Sequence, residues 1–65
     1  MEKLLNEREA AELLGISPRT LEASRGRGDG PKFVKVTRHR IAYKPSELRA
    51  WVEAHTRTST SERVA

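Results

Sequence analysis

Four consecutive residues, Gly15-Ile16-Ser17-Pro18, constrain this chain more than any other feature. Glycine suits the left-handed position that ends a helix. Serine accepts hydrogen bonds as an N-cap, and proline fits the first helical position, where its missing N–H costs nothing. One helix must therefore stop and a second start within a single tight turn. The first is predicted to open at Asn6-Glu7-Arg8-Glu9, where Asn6 caps the first turn and Glu9 reaches back in a variant of the capping box. Glu7 and Glu9 also lie where the helix dipole favours negative charge. Ala10, Ala11, Leu13 and Leu14 supply its apolar face, and Ile16 buries the turn. The second helix is predicted to run through about Arg25, before Gly26 and Gly28 break it. Two short helices on such a turn fit a helix-turn-helix, and equally an ordinary helical hairpin.

Downstream, Arg27-Gly28-Asp29-Gly30-Pro31 has loop chemistry throughout. Phe33-Val34-Lys35-Val36 and Arg40-Ile41-Ala42-Tyr43 are β-branched and aromatic, and Thr37-Arg38-His39 makes a short hairpin tip between them. A two-stranded ribbon is too small to be stable unless it packs on helices. Pro45-Ser46-Glu47 opens a third helix whose apolar stripe is Leu48, Trp51 and Val52, with Trp51 expected as the core anchor. Residues 55–65 are polar and aperiodic and are expected to be a disordered tail, which leaves residues 1–54 as the domain.

A chain of 65 residues allows one small domain with a thin stability margin. It cannot build the pocket that paired carboxylates or a Ser/His/Asp arrangement require, so no enzymatic activity is expected. The absence of cysteine excludes disulfides, Cys-ligated zinc and thiol chemistry. His39 and His55 are the histidines, too few for a metal site, and no cofactor is expected. The Gly26–Gly30 segment follows a helix and leads to a strand, the wrong order for a nucleotide-binding loop. Apolar runs reach two or three residues, so no membrane span or signal peptide is read, and a cytoplasmic protein is expected.

Charge is unevenly placed. The net charge is +4, yet residues 1–16 sum to −2 and residues 17–44 to +6. A concentrated basic stretch is the footprint of a polyanion site or of a solvated basic surface. The second helix can be oriented from its sequence. Leu21 is the large apolar residue between Ser17 and Arg25 and must face inward. At 100° per residue, Arg19 and Ala23 then point away, with Thr20 and Glu22 flanking. Arg19 suits bidentate contact with guanine or a phosphate contact; Thr20 and Ala23 suit a thymine methyl. Glu22 can accept from cytosine or pair with Arg19 or Arg25. Arg25 and Arg27 flank the helix end, where phosphates or solvent would meet them. Arg38 and Arg40 bracket the hairpin tip and suit a narrow minor groove, while Lys35 and Lys44 suit phosphate or water.

The segments Leu5–Leu21, Phe33–Val36 and Tyr43–Trp51, in that order, resemble the excisionase and AlpA-type family of MerR-like winged-helix DNA-binding proteins over about residues 4–54. The resemblance implies an α+β, mostly helical fold: two helices, a two-stranded wing and a third helix. It implies a second helix in the major groove, carried by Ser17, Pro18, Arg19, Thr20, Glu22 and Ala23. Arg25, Arg27, Lys35 and Lys44 would meet phosphates, and Arg38, His39 and Arg40 would bring the wing to the minor groove. It implies an excisionase, or recombination directionality factor, that loads and bends attachment-site DNA cooperatively and promotes integrase-mediated excision. Its partners would be double-stranded DNA, further copies of the chain and a tyrosine integrase. A transcriptional regulator of a mobile element would use the same surface, and an adaptor for an acidic protein partner is the reading from another class. Four positions depart from the family pattern: Ser24 stands where Trp is usual, Thr37 and His39 where Gly is common, and Ala42 where a basic residue is frequent.

Overall fold

A computed structural model describes residues 1–57; residues 58–65, most of the predicted polar tail, lie outside the described residues. The elements run α1 (Glu7–Leu14), α2 (Pro18–Arg27), β1 (Val34–Thr37), β2 (Arg40–Ala42) and α3 (Pro45–His55). The capping box of α1 forms as expected: the Asn6 side chain accepts from the Glu9 amide at 2.7 Å, and Glu9 accepts from the Asn6 amide at 3.0 Å. Gly15 takes the left-handed conformation, and the Ile16 amide returns to the Ala11 carbonyl at 3.0 Å. Ser17 then caps α2 by accepting from the Thr20 amide at 3.1 Å.

The second helix is longer than predicted, because Gly26 lies inside it instead of ending it. An interior glycine costs about 1 kcal/mol relative to alanine, which a packed helix tolerates. The true stop is Gly28 at φ 83°, whose amide donates to the Ser24 carbonyl at 2.9 Å. No side chain with a Cβ adopts that conformation cheaply. The third helix also extends one residue past the predicted domain boundary, through His55.

The core consists of Ala10, Ala11, Leu21, Tyr43 and Leu48, with Leu5, Leu14, Ile16 and Ile41 packed around it. Trp51 is not its anchor. It is half-buried, donates from Nε1 to the Asp29 carbonyl at 3.4 Å, and stacks on His55 with ring centroids 4.4 Å apart. Helical geometry explains the shift: with Leu48 aimed at the core, Trp51 and Val52 splay to either side of it. Trp51 thus covers the loop after α2, while Val52 stays 42% exposed. Tyr43 is instead the largest fully buried side chain.

Tyr43 was expected to end the second strand, but that strand stops at Ala42. Tyr43 pairs instead with Leu5 through two backbone hydrogen bonds of 2.8 Å, one in each direction. The N-terminal lead is thereby fixed to the base of the hairpin. One more long-range bond completes this corner. Lys44, the N-cap of α3, makes no side-chain capping bond. The Glu2 carboxylate caps the helix in its place, accepting from the Ser46 amide at 3.0 Å and the Ser46 hydroxyl at 2.7 Å.

Those two bonds, the hydroxyl's first and the amide's second, hold the Glu2 carboxyl below its ordinary value of 4.5. A carboxyl depressed by folding adds stability above its unfolded value and loses it as pH falls through the folded one. Glu2→Ala is therefore expected to melt below the wild type at pH 7, with the gap closing as pH is lowered below 4.5. Thermal melts at both pH values check it, and a gap independent of pH would remove Glu2 as the cap.

Candidate nucleic-acid interface

Leu21 is fully buried, so α2 is oriented as its sequence requires. Ser17, Pro18, Arg19, Thr20, Glu22 and Ala23 are all exposed on the rest of its surface. The hydroxyls of Ser17 and Thr20 lie 2.9 Å apart and hydrogen-bond, so the cap that starts the helix also orients Thr20. Arg25 pairs with Glu7 and not with Glu22, and among the described residues Arg19 has no ion-pair partner.

The two arginines at the end of α2 differ. Arg27 is bound to Asp29 at 3.1 Å, with both side chains 61% exposed. Such a pair is worth about 0–1 kcal/mol and opens readily. Arg25 lies one turn after Leu21 and is half-buried. Its Nη1 donates to the Glu7 carboxylate and to the Tyr43 hydroxyl at 3.3 Å. Its guanidinium also stands 5.8 Å from the centre of the Phe33 ring, a cation–π distance. The Tyr43 hydrogen bond, followed by the Glu7 pair, raises the Arg25 guanidinium above its ordinary value, against burial that lowers it. Phe33 and Tyr43 themselves meet at 6.4 Å, tilted by 59°.

The wing is antiparallel, with Val34 opposite Ala42, Lys35 opposite Ile41 and Thr37 opposite Arg40. The register slips between Lys35 and Thr37, which makes Val36 a bulge. Thr37 belongs to β1 and not to the tip, leaving Arg38 and His39 as the turn. No glycine is needed there: no non-glycine residue has positive φ among the described residues, and the Thr37 hydroxyl accepts from the His39 amide at 3.2 Å. Lys35, Arg38, His39 and Arg40 are all exposed. Ala42, in contrast, is buried and faces the body of the domain.

An open cleft of about 440 Å³ separates the wing from the start of α1 and the end of α2. It is lined by Asn6, Glu7, Arg25, Arg38, His39, Arg40 and Ile41. Lys44 is not part of it, and lines a smaller cleft of about 140 Å³ with Lys32 and Glu47. The sequence alone sorts the basic residues by segment and does not reveal Glu7, Phe33 and Tyr43 as the partners that organise Arg25. The signal available was weak: an arginine on the same helical face as Leu21 must find a partner inside. The patch behind α2 is rebuilt around Ser24, whose hydroxyl donates to the Leu21 carbonyl at 2.8 Å. Gly30 packs against it so closely that a Cβ there would overlap the Ser24 hydroxyl and meet its Cβ at 3.1 Å. Among the described residues, no group of three or more His, Cys, Asp or Glu lies together for a metal, and no helix is long and apolar enough to cross a membrane.

Two helices across a tight turn, a two-stranded antiparallel wing and a covering third helix define a winged helix-turn-helix. A family model described as a helix-turn-helix domain matches residues 4–56, and the chain belongs to that family. No curated protein matches the chain. Helix-turn-helix domains place their second helix in the major groove of DNA, and the membership supports sequence-specific DNA binding.

The wing turn yields a direct test. Thr37→Val keeps the side-chain shape but removes the acceptor for the His39 amide. Exchange of that amide is expected to speed up severalfold, in line with about 0.5–1.5 kcal/mol for one hydrogen bond. Hydrogen-exchange NMR measures it, and an unchanged rate would show that the bulge alone shapes the turn.

Proposed function

We propose that this chain is an excisionase: a non-enzymatic DNA-binding protein that recognises an attachment site, bends it and biases an integrase toward excision of a mobile element. The observation that carries the reading is the exposed α2 face of Arg19, Thr20 and Ala23, opposite buried Leu21. In this reading Arg19 reads guanine, Thr20 and Ala23 meet a thymine methyl, and Ser17, Pro18 and Glu22 border the same groove. Arg27, Lys35 and Lys44 meet phosphates. Arg38, His39 and Arg40 carry the wing to the adjacent minor groove, where arginine gains from the enhanced negative potential. One short helix and one wing make few contacts, so neighbouring copies on the DNA raise the affinity together.

The test begins with a site selected by the wild type from a randomised duplex library, with a scrambled duplex as control. The selected site should bend on binding, and supplying the protein to its integrase should turn integration into excision. Specific binding without any effect on recombination would move the protein to transcriptional regulation. Failure of duplex DNA to compete with an acidic protein partner for the basic face would move it to an adaptor.

Arg19→Ala is expected to cost about 1–3 kcal/mol on the selected site and much less on the scrambled duplex. Matched-salt titrations compare the two, and an equal loss on both would make Arg19 a phosphate contact. The wing should behave in the opposite way. Replacing Arg38 and Arg40 together by Ala should weaken both duplexes and flatten the slope of log K against log salt by about 0.9 per phosphate lost. An unchanged slope would take the wing off the DNA.

A further inference from the structure

We propose that Glu7 and Arg25 form a specificity-setting pair, in which Glu7 withholds Arg25 from the DNA backbone and locks the recognition helix to the wing. The inference rests on the DNA-binding reading and reassigns a residue that the sequence places among the phosphate contacts. Arg25 lies four residues after Leu21, so its side chain leaves the helix on the inward side, away from the Arg19 face. Its Nη1 serves Glu7, at the start of α1, and Tyr43, at the base of the wing. Tyr43 is fully buried and tied by its backbone to Leu5, two residues before Glu7. The guanidinium therefore joins three elements whose relative angle decides whether helix and wing meet two grooves at once. The geometry of a planar fork suits this joint, and a lysine cannot reproduce it.

Charge gives the pair its second role. The cleft between wing and α2 is lined by Arg25, Arg38, His39 and Arg40, with Glu7 as the carboxylate among its lining residues. With that carboxylate present, Arg25 is neutralised and the cleft is less attractive to a phosphate. Without it, three arginines line one open cleft, a sequence-blind anion trap. Glu7 thus suppresses binding to the wrong sequence, as a like charge does at a specific interface.

Glu7→Gln tests this with nearly unchanged side-chain volume. Affinity for the scrambled duplex should rise about fivefold, the size of one weak ion pair released. Its salt slope should steepen by about 0.9, one further phosphate. Preference for the selected site should fall accordingly. Arg25→Ala should weaken the selected site and leave the wild-type salt slope unchanged, and in the double variant the gain from Glu7→Gln should vanish. Tyr43→Phe changes no charge and loosens the same guanidinium, so it should raise scrambled-duplex affinity in the same direction, by less; this variant keeps the test open if Glu7→Gln melts below the assay temperature. A slope that flattens by about 0.9 in Arg25→Ala would place Arg25 on a phosphate already in the wild type and overturn the proposal. So would an unchanged scrambled-duplex affinity in folded Glu7→Gln. A wild type that binds no duplex at all would bring down the DNA-binding reading itself, and this inference with it.

Discussion

The domain depends on one reciprocal pair of hydrogen bonds, Leu5 to Tyr43 and Tyr43 to Leu5, each 2.8 Å. Each partner stands just before a helix: Leu5 precedes Asn6, the cap of α1, and Tyr43 precedes Lys44, the cap of α3. Two bonds therefore hold the starts of both helices side by side and attach the base of the wing to the helical body. A ribbon of two short strands has little stability of its own. Here it is held at its base by Tyr43, which contributes backbone to Leu5, ring to Phe33 and hydroxyl to Arg25. With a core this small, the loss of such a hub cannot be absorbed elsewhere.

Local signals were legible in the sequence wherever the chemistry lies within four residues. Asn6 with Glu9, Gly15, and Ser17 with Pro18 set their helix ends by contacts along the chain, and each formed as read. The inward aim of Leu21 was equally legible, because no other large apolar residue on that helix competes for the core. What the sequence hid were contacts between distant segments. Glu2 caps a helix 44 residues away, and Arg25 finds Glu7 across 18. Trp51 reads as a core anchor by its size, whereas direction from the helix axis decides its burial. Gly26 reads as a breaker by residue type, yet this helix ends only where the backbone turns left-handed, two residues later at Gly28.

The basic charge of the middle segment is sorted by the fold into distinct states. Arg19 is unpaired among the described residues, Arg27 is loosely held by Asp29, and Arg25 is held by two partners within the protein. Counting positive residues from the sequence gives all of them equal weight. Their availability to a polyanion is unequal, because each existing contact must break or be shared before a phosphate can take its place.

The contact between Ser24 and Gly30 has a consequence for how the domain can vary. Position 30 cannot grow while Ser24 keeps its place: a Cβ there would run into the serine side chain. The loop that bears Gly30 also offers the Asp29 carbonyl to the indole of Trp51. The segment after α2 is thus held from two sides, by Ser24 of the second helix and by the indole of the third, so a replacement at position 30 is felt by both helices through one loop.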